Sequence, residues 1–170
     1  MRYELLRILL VDDNHHMRVM LAEILRALGV RHLLEASDGA SGLQMLRDRQ
    51  VDIVMTDLAM QPLDGIDFVR LLRNSPDNPN TMIPVIMITG HSTLQRVQEA
   101  RDAGVTEFLA KPLTARGVIE RIIEVVEHPR AFVRSETYAG PDRRRRRDPG
   151  FQGPWRRRSD QMANATPQEI

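Results

Sequence analysis

Five times along the chain a short run of branched apolar residues gives way to a stretch with helical periodicity, and this alternation limits the fold more than any other feature. The runs read as strands at 6–11 (LRILLV), 32–36 (HLLEA), 52–56 (DIVMT), 84–88 (PVIMI) and 106–110 (TEFLA). Strands kept apart by helices cannot close as hairpins; they pair in parallel through crossovers, which gives a doubly wound α/β domain with a five-stranded sheet and five helices. In the first helical stretch Met17, Met20, Leu21, Ile24, Leu25 and Leu28 share one face, with Asn14 as cap and Gly29 as stop. The last, over 115–127, sets Val118, Ile122 and Val126 in one row with Ile119 and Ile123 beside it.

In an open parallel sheet, ligands bind beyond the carboxyl ends of the strands, where loops bring side chains from several elements to one edge. At those ends stand Asp12 and Asp13, then Asp57, Thr89 and Lys111. Taken singly, each has an ordinary alternative as a helix cap, a turn former or solvated surface. As a set they imply chemistry. Carboxylates about 5 Å apart repel by on the order of 3 kcal/mol at an effective dielectric near 20, so such a cluster requires protonation or a cation. With oxygen donors only and no His or Cys at ligand spacing, the expected ion is Mg²⁺, with Mn²⁺ as a substitute.

The chain has 23 arginines but a single lysine, Lys111, and it stands at the end of the fifth strand. A compact ammonium pairs with a phosphoryl oxygen as a point charge, where a guanidinium is larger and forked. Pro112 follows it and allows a cis peptide that would aim the lysine inward.

The segments LLVDDN (9–14), TDLAMQPLDG (56–65), MITGHS (87–92) and FLAKPL (108–113) fall in order at the spacing of the receiver domain of bacterial response regulators, which the chain resembles over residues 5–127. One departure lies in the third-strand loop, where Gln61 separates Met60 from Pro62 without changing the loop length. The resemblance implies a flavodoxin-like sheet of order 2-1-3-4-5 and a stand-alone, single-domain response regulator. Asp57 would be the phosphoacceptor, taking a phosphoryl group from a histidine kinase or histidine phosphotransfer protein. Asp12, Asp13, Asp57 and the backbone carbonyl of Ala59 would bind Mg²⁺, and Thr89 and Lys111 would close on the phosphoryl oxygens. Thr89 and Phe108 would then switch the face made by the fourth helix, fifth strand and fifth helix, and a downstream protein would read that face. His91, two residues after Thr89, is a candidate for tuning dephosphorylation; the alternative is a solvated loop histidine. A competing enzyme class, the Mg²⁺-dependent phosphatases with an aspartate nucleophile, usually has a second acid two residues on, where this chain has Ala59. A phosphoacceptor without turnover, or a receiver-like binding scaffold that is not phosphorylated, therefore remains.

Composition divides the chain. Residues 1–128 carry a net charge of −4 and 129–170 one of +5, the latter with arginine runs at 143–147 and 156–158. We therefore expect a receiver domain over 1–128 and a disordered Arg-rich tail over 129–170. The tail has three readings: a solvated segment, an arm for an acidic partner or for the chain's own acidic receiver face, or a nucleic-acid arm with Phe151 and Trp155 interleaved for stacking. Its 42 residues are too few for a winged-helix output domain, so the expected target is a partner protein. Absence of cysteine fits a reducing compartment. The first apolar run, Leu5 to Val11, is interrupted by Arg7 and is too short for a signal peptide or membrane span, so the expected location is cytoplasmic.

Overall fold

The computed structural model describes residues 3–90 and 93–143. After a single 3-10 turn at Tyr3–Leu5, five strands and five helices alternate: β1 (Arg7–Val11), α1 (His15–Ala27), β2 (His32–Ala36), α2 (Gly39–Asp48), β3 (Ile53–Asp57), α3 (Gly65–Asn74), β4 (Val85–Thr89), α4 (Leu94–Ala103), β5 (Glu107–Ala110) and α5 (Ala115–Glu127). The strands form one parallel sheet of order β2-β1-β3-β4-β5. Each expected strand lies within one residue of its observed position; the inner strands β1, β3 and β4 are buried on both faces and read as nearly continuous apolar segments.

Two apolar layers sandwich the sheet. Leu9, Val11, Val54, Val85 and Met87 pack with Phe68, Val69 and Leu72 of α3 and Ala100 and Ala103 of α4. Ile8, Leu10, Met55, Ile86 and Ile88 pack with Leu21, Ala22 and Leu25 of α1 and Val118 and Ile122 of α5. Alternate residues of one strand serve opposite layers because strand side chains have a period of two. Side-chain caps set the helix starts: Asn14, Asp38, Asp64, Thr93 and Thr114 each accept from a backbone N–H in the first turn. Gly29 closes α1 at φ +93°. No described helix is long and apolar enough to cross a membrane.

The expectation of disorder from residue 129 needs correction for residues 129–143. They form an antiparallel hairpin of β6 (Phe132–Arg134) and β7 (Ala139–Pro141), seated where α3 and α4 end and β5 begins. Arginine content suggested a solvated segment, but the arginines are used internally. Arg130 donates to the carbonyls of Thr106 at 2.8 Å and Asp142 at 2.7 Å, and Arg143 pairs with Asp102 at 3.1 Å. This part of the tail is thus an arm laid on the chain's own receiver. The remaining tail from residue 144, with all of the first arginine run but Arg143, with Phe151 and Trp155 and with the second arginine run, lies outside the described residues.

Candidate phosphoacceptor site

Asp57 ends β3, and the parallel register sets Leu10 and Val11 of β1 on one side of that strand and Ile88 of β4 on the other. The residues just past these strands therefore share one edge. Asp12, Asp57 and Thr89 are all buried there, while Asp13 is exposed.

The Asp57 side chain is 5% exposed, and each of its oxygens has a donor. Lys111 Nζ lies 2.7 Å from Oδ1, and the Ala59 N–H donates to Oδ2 at 3.0 Å. Strand five delivers the lysine: its backbone N–H donates to Thr89 O at 2.8 Å, which fixes the end of β5 against the end of β4. The Lys111–Pro112 peptide is cis, as is Gln61–Pro62 in the loop after Asp57.

The loop after Asp57 folds back tightly. Gly65 N donates to Leu58 O at 2.9 Å, and a Cβ on Gly65 would meet the Asp57 carbonyl oxygen at 2.3 Å. Only glycine lets α3 start this close to the end of β3. On the first strand, Asp12 Oδ1 accepts from Asn14 N at 2.8 Å, and the Asp12 carbonyl accepts from Arg18 at 2.7 Å. Asp13 accepts the N–H of Gln61 at 3.2 Å, so the residue that departs from the family pattern is joined to the acidic pair through its backbone. Burial, reinforced by the charges of Asp57 and Asp13, raises the Asp12 carboxyl above its ordinary range against the pull of the Asn14 N–H and of Lys111.

Among the described residues no three His, Cys, Asp or Glu side chains are gathered into a metal-enclosing group. The donor chemistry still fits a hard cation: Asp12, Asp13 and Asp57 offer carboxylate oxygens only, and Lys111 is the cation paired with Asp57.

Thr89 lies at the end of β4, 8% exposed, with Oγ1 3.5 Å from the Gly90 carbonyl. Phe108, in the middle of β5 opposite Met87, is half-buried and packs on the layer beneath α3 and α4. His91 lies outside the described residues. A cleft of about 430 Å³ opens at the other edge of the sheet beside Arg7, Arg47 and Arg49 and includes none of these residues. Sequence reasoning missed the far end of this half of the molecule, where the buried Arg73 donates to the carbonyls of Gly104, Thr81 and Ile83. Its signal was weak: an arginine in the last turn of α3, followed much later by Phe132 and Val133 in an Arg-rich stretch.

Comparison with known proteins identifies the family. Residues 8–123 match the family model of the response regulator receiver domain. The chain is 36% identical over 122 residues to the chemotaxis protein CheY-3 of Vibrio cholerae, spanning 72% of this chain and 92% of that protein. It is likewise 36% identical over 122 residues to CheY of Pseudomonas aeruginosa, spanning 72% and 97%. The solved structure of Vibrio cholerae CheY4 superposes with a TM-score of 0.64 at 26% identity, covering 71% of this chain and 98% of that one. The chain belongs to the response regulator receiver family of two-component systems. CheY-like receivers are signalling proteins and phosphoryl acceptors, not turnover enzymes; Mg²⁺ at the phosphorylation site is typical of them, and they interact with histidine kinases and downstream targets.

Proposed function

We propose that this chain is a cytoplasmic phosphorelay switch in which Asp57 is the phosphoacceptor. The observation that carries the reading is the pairing of a nearly buried Asp57 with the chain's one lysine, at the strand edge that also holds Asp12 and Asp13. An Asp57 carboxylate oxygen attacks the phosphorus of a phosphohistidine on a histidine kinase or phosphotransfer protein. The new O–P bond forms as the P–N bond breaks, and the imidazole leaves with the electron pair and takes up a proton.

Mg²⁺, held by Asp12, Asp13, Asp57 and the Ala59 carbonyl, would neutralise charge on the transferred group; Mn²⁺ is the expected substitute. The protein's own part is positioning. The Ala59 N–H and Lys111 hold the carboxylate at a fixed angle, and Lys111 is poised to pass from an Asp57 oxygen to a phosphoryl oxygen. Thr89, on the neighbouring strand end, would turn its hydroxyl to a second oxygen. Phosphorylation adds close to two negative charges. Movement of Thr89 would open room for the Phe108 ring and alter the α4–β5–α5 face that a downstream protein reads. His91, two residues after Thr89 in the sequence, would tune hydrolysis of the aspartyl phosphate.

Intact-mass spectrometry after acetyl phosphate, with and without Mg²⁺, tests this. One Mg²⁺-dependent phosphoryl adduct is expected on the wild type and none on Asp57→Asn. An unmodified wild type under every condition would leave the chain as a receiver-like scaffold.

A further inference from the structure

The hairpin lies C-terminal to residues 8–123, which the family model matches, and its contacts converge on the turn between α4 and β5. Arg73 leaves the last turn of α3 with only 1% exposure. It donates to Gly104 O at 3.2 and 2.9 Å and to the Thr81 and Ile83 carbonyls at 2.7 Å each. Phe132 of β6 covers it, with the ring centroid 5.2 Å from the guanidinium carbon, and Arg134 donates back to Arg73 O at 3.1 Å. The hairpin therefore caps a buried cation that links α3, the approach to β4 and the α4–β5 turn.

Backbone contacts at this turn are tight. Gly104 has φ +106°, and a Cβ there would lie 2.5 Å from Ala139 O; a Cβ on Gly140 would lie 2.7 Å from Gly104 Cα. The second half of the hairpin also locks onto itself. Tyr138 donates its hydroxyl proton to Pro141 O at 2.7 Å, and Arg143 stacks on the Tyr138 ring at 4.0 Å while pairing with Asp102 of α4. Arg130 reaches the start of β5, donating to Thr106 O at 2.8 Å with Glu107 Oε1 3.5 Å away, and Glu107 is the residue before Phe108.

We propose that residues 130–143 form a strap that fits one position of α4 and the start of β5, so that the Asp57 switch and docking of this hairpin are thermodynamically coupled. This rests on the phosphoacceptor reading of Asp57. The physical reason is the closeness of the fit: glycine-to-glycine backbone contact at Gly104 and Gly140 leaves no compliant side chain to absorb a displacement of α4. A switch that moves α4 or β5 breaks the strap and loosens Arg143 from Asp102. The strap in turn opposes the switch by the same factor.

The test uses the full chain. Hydrogen exchange over 130–143 is followed with and without acetyl phosphate and Mg²⁺, and adduct formation is read by intact mass on the same samples, with Asp57→Asn as control. Exchange at the hairpin amides, including Ser135 and Asp142, is expected to rise about 5-fold in the phosphorylated wild type and to stay constant in the control. A full adduct with unchanged or slowed hairpin exchange overturns the coupling and leaves the phosphoacceptor reading intact. Absence of any adduct overturns both. The reciprocal arm uses Arg130→Gln, with circular dichroism to verify folding and a titration of beryllofluoride in Mg²⁺ as phosphoryl mimic. The half-saturating concentration is expected to fall about 5-fold, and an unchanged midpoint in the folded variant also overturns the coupling.

Discussion

Lys111 Nζ lies 2.7 Å from Asp57 Oδ1, joining the ends of β5 and β3 across the intervening β4. The pair is asymmetric, since the lysine side chain is 32% exposed and the aspartate 5%. Asp57 therefore depends on Lys111 more than Lys111 depends on Asp57. A buried carboxylate that loses its cation is left with a desolvation cost that an exposed one does not have.

Lys111→Met is accordingly expected to lower stability at neutral pH by roughly 1–2 kcal/mol, less than a fully buried pair because the lysine is partly solvated. Phosphorylation of Asp57 should slow by about a hundredfold, as for loss of one charge-stabilising donor. Lys111→Arg should recover much of the stability without the rate, because a forked guanidinium does not fit a single-point contact. Urea denaturation and timed mass spectrometry read the two quantities separately.

Asp12 gives a pH dependence of opposite sign to that of a salt-bridged carboxylate. Its folded-state pKa is raised, by burial first and then by Asp57 and Asp13, so the folded chain holds that proton more tightly than the unfolded one. Its penalty is present at neutral pH and is relieved as pH falls through the raised value. Asp52 behaves in reverse: hydrogen bonding to Arg7 lowers its pKa, and the stability it contributes is lost as pH falls through that lowered value. In EDTA at pH 7, Asp12→Asn should melt about 3 °C above wild type, the effect of ~1 kcal/mol in a domain of this size. The gap should close as pH is lowered, and Mg²⁺ should raise the wild-type melting temperature but not that of the variant.

Removal of the buried guanidinium should be among the most damaging single changes outside the apolar layers. Arg73→Ala leaves the carbonyls of Gly104, Thr81 and Ile83 without this donor and opens a void under Phe132. A loss of roughly 3 kcal/mol or more is expected, from unsatisfied acceptors that each cost about 1–3 kcal/mol. Burial lowers the Arg73 pKa to about 10, so it stays cationic at neutral pH, and acidification to pH 6 should leave this contribution unchanged. Equilibrium unfolding at pH 6 and 8 checks both statements.

Two glycines with positive φ provide an internal control. Gly29 at φ +93° has open space around a would-be Cβ, so Gly29→Ala should cost only the backbone penalty of about 1–2 kcal/mol. Gly104→Ala adds a collision with Ala139 O to the same penalty and should cost more. In a chain ending at residue 128 the difference between the two substitutions should shrink, because the hairpin oxygen is gone. Paired melting curves of the four proteins decide it.

Positions of the strands were legible because a parallel strand buried on both faces is apolar nearly throughout, as in LRILLV and PVIMI. Capping was legible at Asn14 and the helix stop at Gly29, since both act through local backbone geometry. Asp12, Asp13, Asp57, Thr89 and Lys111 stood out because strand ends in an open parallel sheet meet at one edge, so order along the chain already implies neighbourhood in space. Phe108 could be placed on its strand, but which layer its ring joins follows from register and from packing under α4.

The hairpin was hidden for the opposite reason. Composition averages over residues, and a segment rich in Arg, Pro and Gly reads as solvated unless its partners are known. Those partners are far away in sequence: Arg130 with Thr106, Arg143 with Asp102, and Phe132 over Arg73. The sequence by itself determined the sheet, its helices and the edge where the carboxylates and lysine meet, because period and strand order are local properties that propagate through simple topology. Only the tertiary structure decided that Asp57 pairs directly with Lys111, that Asp13 receives the Gln61 N–H, and that an arginine-rich arm folds back as a strap, because each depends on contacts between residues many positions apart.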